Sequence, residues 1–103
     1  MALEKLKKQL ETTGLPVTYR AWPEGKAPAM PYVCYLSNGT NTLFADGQVY
    51  YSYDNVRVEL YTPQKCPEAE RAVETALTGY HWSKNENYLD TERCQMTTYD
   101  IDV

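Results

Sequence analysis

The stretch VYYSYDNVRVELYTPQKCPEAERAVETALTG, residues 49–79, contains the two clearest secondary-structure signals of the chain. Val56, Val58 and Leu60 alternate with polar or charged neighbours, which is the period-two pattern of a strand with one buried face. After Pro63 the period changes, because apolar residues then recur at helical spacing. This stretch therefore predicts a strand followed directly by an amphipathic helix.

The predicted helix has a narrow apolar stripe and recognisable ends. Its stripe consists of Ala69, Ala72, Val73, Ala76 and Leu77. Pro67 suits the first helical turn and Gly79 the position just past the helix end. Because most of the stripe is alanine, the helix backbone can approach the apolar face of the preceding strand closely. We expect a core centred on Val58, Leu60, Ala72, Val73, Ala76 and Leu77.

The N-terminal segment predicts a second amphipathic helix. Residues 2–13 place Leu3, Leu6 and Leu10 on one face, and Gly14 suits a left-handed C-terminal cap. Three leucines form too narrow a stripe for an isolated helix of this length to persist in water. The helix therefore docks either on its own sheet or on a neighbouring subunit.

The segment between this helix and the quoted stretch predicts short strands and irregular chain. Residues 17–21 suit a short extended piece, residues 22–31 a proline-rich loop, and residues 32–37 a central strand. Asn38-Gly39 predicts a turn. We interpret residues 38–55 as an irregular hairpin extension, with a short strand at 49–51 and a break near Asp54-Asn55.

The C-terminal segment predicts a closing hairpin, with strands at residues 80–87 and 94–103. Tyr99 and Ile101 share one face, whereas Cys94, Met96 and Thr98 follow the opposite register. A bulge or an environment buried on both faces would reconcile the two patterns. The fold expected for residues 1–103 is one α+β domain: a small antiparallel sheet with two helices packed on it and a long irregular loop and hairpin extension.

Composition excludes several classes of function. Lys and Arg number 10 against 14 Asp and Glu, giving a net charge of -4, which disfavours an electrostatic grip on nucleic acid. Three widely spaced cysteines, Cys34, Cys66 and Cys94, predict free thiols and no metal. The absence of a signal peptide or apolar span in these residues predicts a protein made in a reducing cytoplasm, with no membrane contact.

No catalytic constellation is recognisable in the sequence. The single histidine, His81, has no nucleophile or carboxylate at motif spacing, and we expect it on the surface or at a sheet edge. Neither a phosphate-binding loop nor a dinucleotide fingerprint is present. We therefore expect no enzyme activity, no cofactor and no metal.

Several stretches resemble one family of small phage proteins. These are Phe44-Ala45-Asp46 with Tyr50 and Tyr53, the run Val58-Glu59-Leu60-Tyr61-Thr62, and the helix start Pro67-Glu68-Ala69-Glu70. They resemble the tail-completion, or tail-terminator, proteins of long-tailed phages of Gram-positive bacteria. The resemblance covers roughly residues 15–101, and the leucines of the first helix match no pattern of the family.

The resemblance implies a structural protein of the virion tail or neck, assembled in the host cytoplasm. Such proteins form a hexameric ring that caps the tail tube, contacts the tube protein and presents a docking surface to the head connector. DNA passes through the ring without specific binding, and an acidic lumen suits that passage. Another neck protein, such as a head-completion or stopper protein, and a small intracellular binding or inhibitor module remain alternatives.

We expect the contacts between subunits on the loop 22–31 and the extension 38–55. Both segments carry large side chains without a periodic partner of their own, so a neighbouring subunit is expected to cover them. The candidate contact residues are Trp22, Met30, Phe44, Asp46, Tyr50, Tyr51 and Tyr53.

Overall fold

A computed structural model describes residues 2–22, 25–45 and 48–102, with backbone alone for residues 2, 38–45 and 48–54. Two helices and five strands make up the described chain. Their bounds are α1 Ala2–Glu11, β1 Val17–Tyr19, β2 Tyr32–Ala45, β3 Gln48–Thr62, α2 Pro67–Ala76, β4 Trp82–Leu89 and β5 Cys94–Asp102. The α+β class is confirmed.

The strand predicted at Val56, Val58 and Leu60 is confirmed as part of β3. In the five-stranded sheet of order β1-β2-β3-β5-β4 the middle strand is β3, whereas residues 32–37, the predicted central strand, belong to its neighbour β2. Val56, Val58 and Leu60 are fully buried. They pair with Ile101, Tyr99 and Thr97 of β5 on one side, and Val58 and Leu60 pair with residues of β2 on the other. The alternation in the sequence therefore identified the centre of the core.

The sheet is mixed rather than antiparallel, because β1 pairs with β2 in parallel. Val17 lies opposite Val33 and Tyr19 opposite Tyr35. Two neighbouring parallel strands require the chain to travel back along the sheet between them. Residues 20–31 make that return without regular structure in their described part, which explains why such a long proline-rich connection separates β1 from β2.

Both helices pack on one face of the sheet. Leu6 and Leu10 of α1 and Val73 and Leu77 at α2 are fully buried in the same cluster as the β3 core residues. Helix α1 thus docks on its own sheet. Of the stripe predicted for α2, all residues are buried except Ala72, which is half-buried.

In the described part of the chain, no helix combines the length and apolar character that crossing a membrane requires.

Strand β5 is buried on both faces. Thr97, Tyr99 and Ile101 face the helices, whereas Cys94 and Thr98 are buried on the other side. The pairing of β5 with β3 and β4 has no register shift, so the two-sided environment, and not a bulge, explains the conflicting patterns.

Residues 38–45 and 48–54 form a more regular element than the sequence indicated. Strand β2 continues through Asn38-Gly39, where the pairing shifts register, so this dipeptide is a bulge and not the predicted turn. Strand β3 runs unbroken from Gln48, without the predicted break at Asp54-Asn55. We call residues 38–45 and 48–54 the hairpin arm.

The hairpin arm extends beyond the rest of the sheet. Strand β1 pairs with β2 only as far as Tyr35, and β5 pairs with β3 only as far as Asn55. Within the described residues, the arm is therefore a ribbon of two strands with no third strand beside it. Six paired residues from Thr40 to Ala45 span about 20 Å, and the molecule measures 49 × 27 × 24 Å along its principal axes.

Candidate functional site

The sheet face opposite the helices carries a layer of aromatic contacts. Tyr32 of β2 lies against Tyr61 of β3 with ring centroids 5.1 Å apart. The indole of Trp22, from the loop that returns between β1 and β2, meets the Tyr32 ring edge-on at 5.9 Å. The loop thus folds over this outer face at the end of the sheet farthest from the hairpin arm.

A cavity of about 350 Å³ lies beneath this loop. Its lining residues come from the loop, from β2 and β3, and from the β4–β5 hairpin. They are Arg20, Ala21, Trp22, Ala27, Met30, Tyr32, Cys34, Tyr61, Leu89, Glu92 and Cys94. Pockets that hold small molecules start near this volume, so the cavity suits a group of about one aromatic ring.

Within the described residues, one buried polar side-chain atom of the cavity lacks a hydrogen-bond partner. The indole Nε1 of Trp22 is buried, and no acceptor within the described residues takes its hydrogen bond. An indole N–H is a donor only, and a buried donor without an acceptor costs about 1–3 kcal/mol. The cavity therefore favours an occupant that brings an acceptor to Trp22.

Two charged side chains, Arg20 and Glu92, also line the cavity, and both are exposed. Arg20 has a φ of 66°, in the left-handed region that non-glycine residues seldom adopt. Its backbone N–H donates to the Tyr35 carbonyl at 2.8 Å, which fixes the start of the loop on β2. The mouth of the cavity thus presents one cation and one carboxylate to an occupant.

The two cavity thiols are poor nucleophiles. Cys34 and Cys94 are each 3% exposed, and burial, with a contribution from Glu59, raises the pKa of Cys34 to about 11. Burial also raises the pKa of Cys94. Strand β3 separates them, so two strand spacings, about 9–10 Å, exceed the ~7 Å limit for a disulfide.

We predict that these thiols resist a thiol reagent in the folded protein. At pH 8, Cys66, which is only partly buried, should react about tenfold faster than Cys34 or Cys94, because thiolate character and access control the rate. Mass spectrometry of the intact chain should show three free thiols. Equal reaction of all three cysteines without denaturant, or a mass lower by two hydrogens, would contradict this prediction.

A second polar cluster lies on the helix face, between α2 and the edge strand β4. Lys84 Nζ donates to Glu70 Oε1 at 2.6 Å and to Glu74 Oε2 at 2.8 Å. Tyr99 donates its hydroxyl to Glu74 Oε2 at 2.8 Å, and Lys65 reaches Glu70 Oε1 at 3.0 Å. Each carboxylate is held by a cation, so this cluster fastens the helix to the sheet.

The pKa values of the two helix carboxyls reflect these contacts. Burial alone would raise the pKa of Glu70, but hydrogen bonds from Lys84 and Lys65 outweigh it and lower that pKa below its ordinary value. The pKa of Glu74 is lowered in the same way, with hydrogen bonds from Lys84 and Tyr99 against burial. Both carboxyls are therefore ionised near neutral pH, and each has one oxygen bound by its partners. The other oxygen of Glu70 is buried without a partner among the described residues.

The predicted contact residues fall into two groups at opposite ends of the β2–β3 pair. Trp22 and Met30 line the cavity. The backbone positions of Phe44, Tyr50, Tyr51 and Tyr53 lie on the hairpin arm, and Asp46 lies outside the described residues. His81 is exposed and directly precedes β4, in agreement with the predicted surface position.

Sequence reasoning missed the sheet residues of the cavity and the cluster around Lys84. Tyr32 and Cys34 alternate with Val33 and Tyr35, and this alternation could have identified a second, outward face of β2. Glu70 and Glu74 lie four residues apart beside the apolar stripe, where two like charges need a cation. Nothing local in the sequence indicates that Lys84 supplies it.

Comparison with known proteins adds no functional assignment to these surfaces. The described part of the chain brings no three His, Cys, Asp or Glu side chains together as a metal site. No protein-family model matches the chain, and no curated protein is significantly similar to it.

Proposed function

We propose that this protein completes the tail of a long-tailed phage, as a structural subunit of a hexameric ring and without catalysis. The ring caps the tail tube, contacts the tube protein and offers a docking surface to the head connector. The resemblance at residues 44–46, 58–62 and 67–70 supports the proposal, and one feature of the fold carries it: the two-stranded hairpin arm.

The hairpin arm favours an assembled protein over a solitary one. A ribbon of two strands is at best marginally stable alone in water, and its outer edges offer unpaired backbone groups to another chain. Within the described residues of this chain, nothing pairs with either edge of the arm. A neighbouring subunit or the tail tube would provide the missing contacts.

Charge supports a ring through which DNA passes. The net charge of -4 repels the duplex, so a lumen lined by such subunits would let DNA slide without adhering. The polar cluster that anchors α2 also fits a structural role, because its carboxylates are engaged by lysines. Passage of DNA in this ring needs no sequence recognition.

The decisive experiment deletes the gene from the phage that encodes it. Loss of the protein should leave filled heads beside tails that are unjoined or abnormally long, as seen by negative-stain electron microscopy. Complementation with the wild-type gene should restore infectivity. Virions of normal length and infectivity from the deletion strain would refute the proposal.

A binding experiment separates tail completion from the two alternatives. The purified chain should bind assembled tubes of the tail-tube protein at their ends. Binding to portal-side proteins without binding to tubes would instead identify a head-completion or stopper protein. A stable complex with an unrelated host protein, and with neither tubes nor portal, would identify a small binding or inhibitor module.

A further inference from the structure

We propose that the cavity beneath the loop 20–31 is a socket for a tyrosine from the hairpin arm of a second copy of this chain. The inference rests on the proposed ring and specifies how its subunits connect. Each subunit would present an arm at one end and a socket at the other. The contact would therefore be head-to-tail.

Position excludes the chain's own arm from its socket. The cavity lies at the Tyr32–Tyr61 end of the β2–β3 pair, whereas the arm begins after Ser37 and points away. Residues 32–37 alone separate the two features by about 17 Å along the strand. Because the arm cannot fold back onto the cavity of its own subunit, it is available to the cavity of a neighbouring subunit.

The hydrogen-bonding groups of the cavity match a phenol. Trp22 Nε1 has no acceptor among the described residues, and Glu92 at the mouth offers a carboxylate that accepts. A tyrosine hydroxyl accepts one hydrogen bond and donates another, so a single phenol can serve both residues. The ring would lie among Tyr32, Tyr61 and Met30, where aromatic and thioether contacts are favourable.

The arm has the composition that this socket requires. Residues 38–54 include three tyrosines, Tyr50, Tyr51 and Tyr53, and Phe44. The same segment carries two aspartates and no lysine or arginine. Arg20 at the cavity mouth has no carboxylate of the described residues within ion-pair distance, so an acidic arm also brings it a partner.

Head-to-tail contact has a direct consequence for assembly. An arm and a socket on different surfaces form a heterologous interface, which yields closed rings when the rotation between subunits closes and filaments when it does not. An arm-to-arm contact would instead give symmetric dimers that stop at two. The two modes are therefore distinguished by mixing variants.

The test uses two single-defect variants of the full chain in sedimentation velocity. The arm variant, Tyr50→Thr with Tyr51→Thr and Tyr53→Thr, removes the phenols and keeps strand propensity. The socket variant, Ala27→Trp, fills the cavity from an exposed loop position. Its matched control is Ala29→Trp, at an exposed position of the same loop that does not line the cavity.

We expect the wild type and Ala29→Trp to associate alike, and each single-defect variant to associate at least tenfold more weakly. A mixture of the two variants should form a one-to-one dimer and nothing larger, because one intact arm meets one intact socket. Replacing the three tyrosines by phenylalanine should weaken association less than threonine does. Circular dichroism checks that each variant is folded.

Three results would overturn the inference. The first is a socket variant that associates like the wild type, and the second is a mixture that stays monomeric while the wild type associates. The third is a wild type that is monomeric even at about 1 mM, a concentration at which a contact with a binding free energy of only ~4 kcal/mol is half occupied. These results concern the contact alone. Failure of tail completion would instead appear as normal virions from the deletion strain.

Discussion

Replacing Leu60 by alanine should reduce the free energy of unfolding by about 2–5 kcal/mol. Leu60 is fully buried near the C-terminal end of β3 and packs in the core cluster that includes residues of both helices. The substitution leaves a cavity between the sheet and the helices that strands paired on both sides cannot close. For a domain whose total stability is about 5–15 kcal/mol, this is a large fraction, and urea titration followed by circular dichroism measures it.

Two control variants show whether burial causes the loss. Leu36→Ala makes the same chemical change at a partly exposed position on the outer face of the neighbouring strand, and should cost less than half as much. Arg57→Ala removes a half-exposed side chain that meets Asp100 at 3.3 Å, an exposed pair worth about 0–1 kcal/mol. Similar losses for Leu60→Ala and Arg57→Ala would show that the assigned face of β3 is wrong.

Local periodicity was sufficient to predict the elements that bury one face. Strand β3 and helix α2 each have one buried face and one more exposed face, so their apolar residues recur with a single period. The predictions from Val56, Val58 and Leu60 and from Val73 and Leu77 are both confirmed. Strand β5 is buried on both faces, so the alternation of its residues did not identify one face as the core face. The parallel pairing of β1 was not predictable either, because parallel pairing depends on where a loop returns.

The cavity and the hairpin arm depend on contacts between residues that are distant in the sequence. The cavity brings Trp22, Tyr61 and Cys94 together from a loop and two strands, and no spacing along the chain encodes that meeting. The arm was underestimated because Asn38-Gly39 is a typical turn dipeptide, whereas β2 absorbs it as a bulge. The sequence therefore located the aromatic segments without their relative positions.

Replacing Lys84 by methionine should cost about 1–3 kcal/mol at pH 7, the range for hydrogen bonds to charged groups. Methionine keeps the length and apolar stem of lysine and removes only the ammonium group. Glu70, whose side chain is 5% exposed, would keep Lys65 alone, and Glu74 would keep only the Tyr99 hydroxyl among these partners. The two carboxylates, four residues apart on α2, would then repel each other.

The control Lys65→Met removes the exposed lysine that binds Glu70, so that its effect can be compared with removal of the more buried Lys84. The Lys65 side chain is 51% exposed, and water screens such a pair, so this substitution should cost clearly less than Lys84→Met. Equal losses for the two lysine variants would show that burial does not strengthen the Lys84 contacts. Urea titrations of both variants and the wild type, run in parallel at each pH, give the comparison.

The pH dependence of the Lys84→Met loss identifies its cause. The pKa values of Glu70 and Glu74 are lowered in the folded protein, so their contribution to stability is full above the ordinary carboxyl pKa and disappears as pH falls through the lowered values. Burial lowers the pKa of Lys84 less than its hydrogen bonds to the two glutamates raise it, so Lys84 stays charged throughout. The loss should therefore shrink between about pH 5 and pH 3. A loss that stays constant over this range would mean that Lys84 stabilises the fold by packing, and not by its charge.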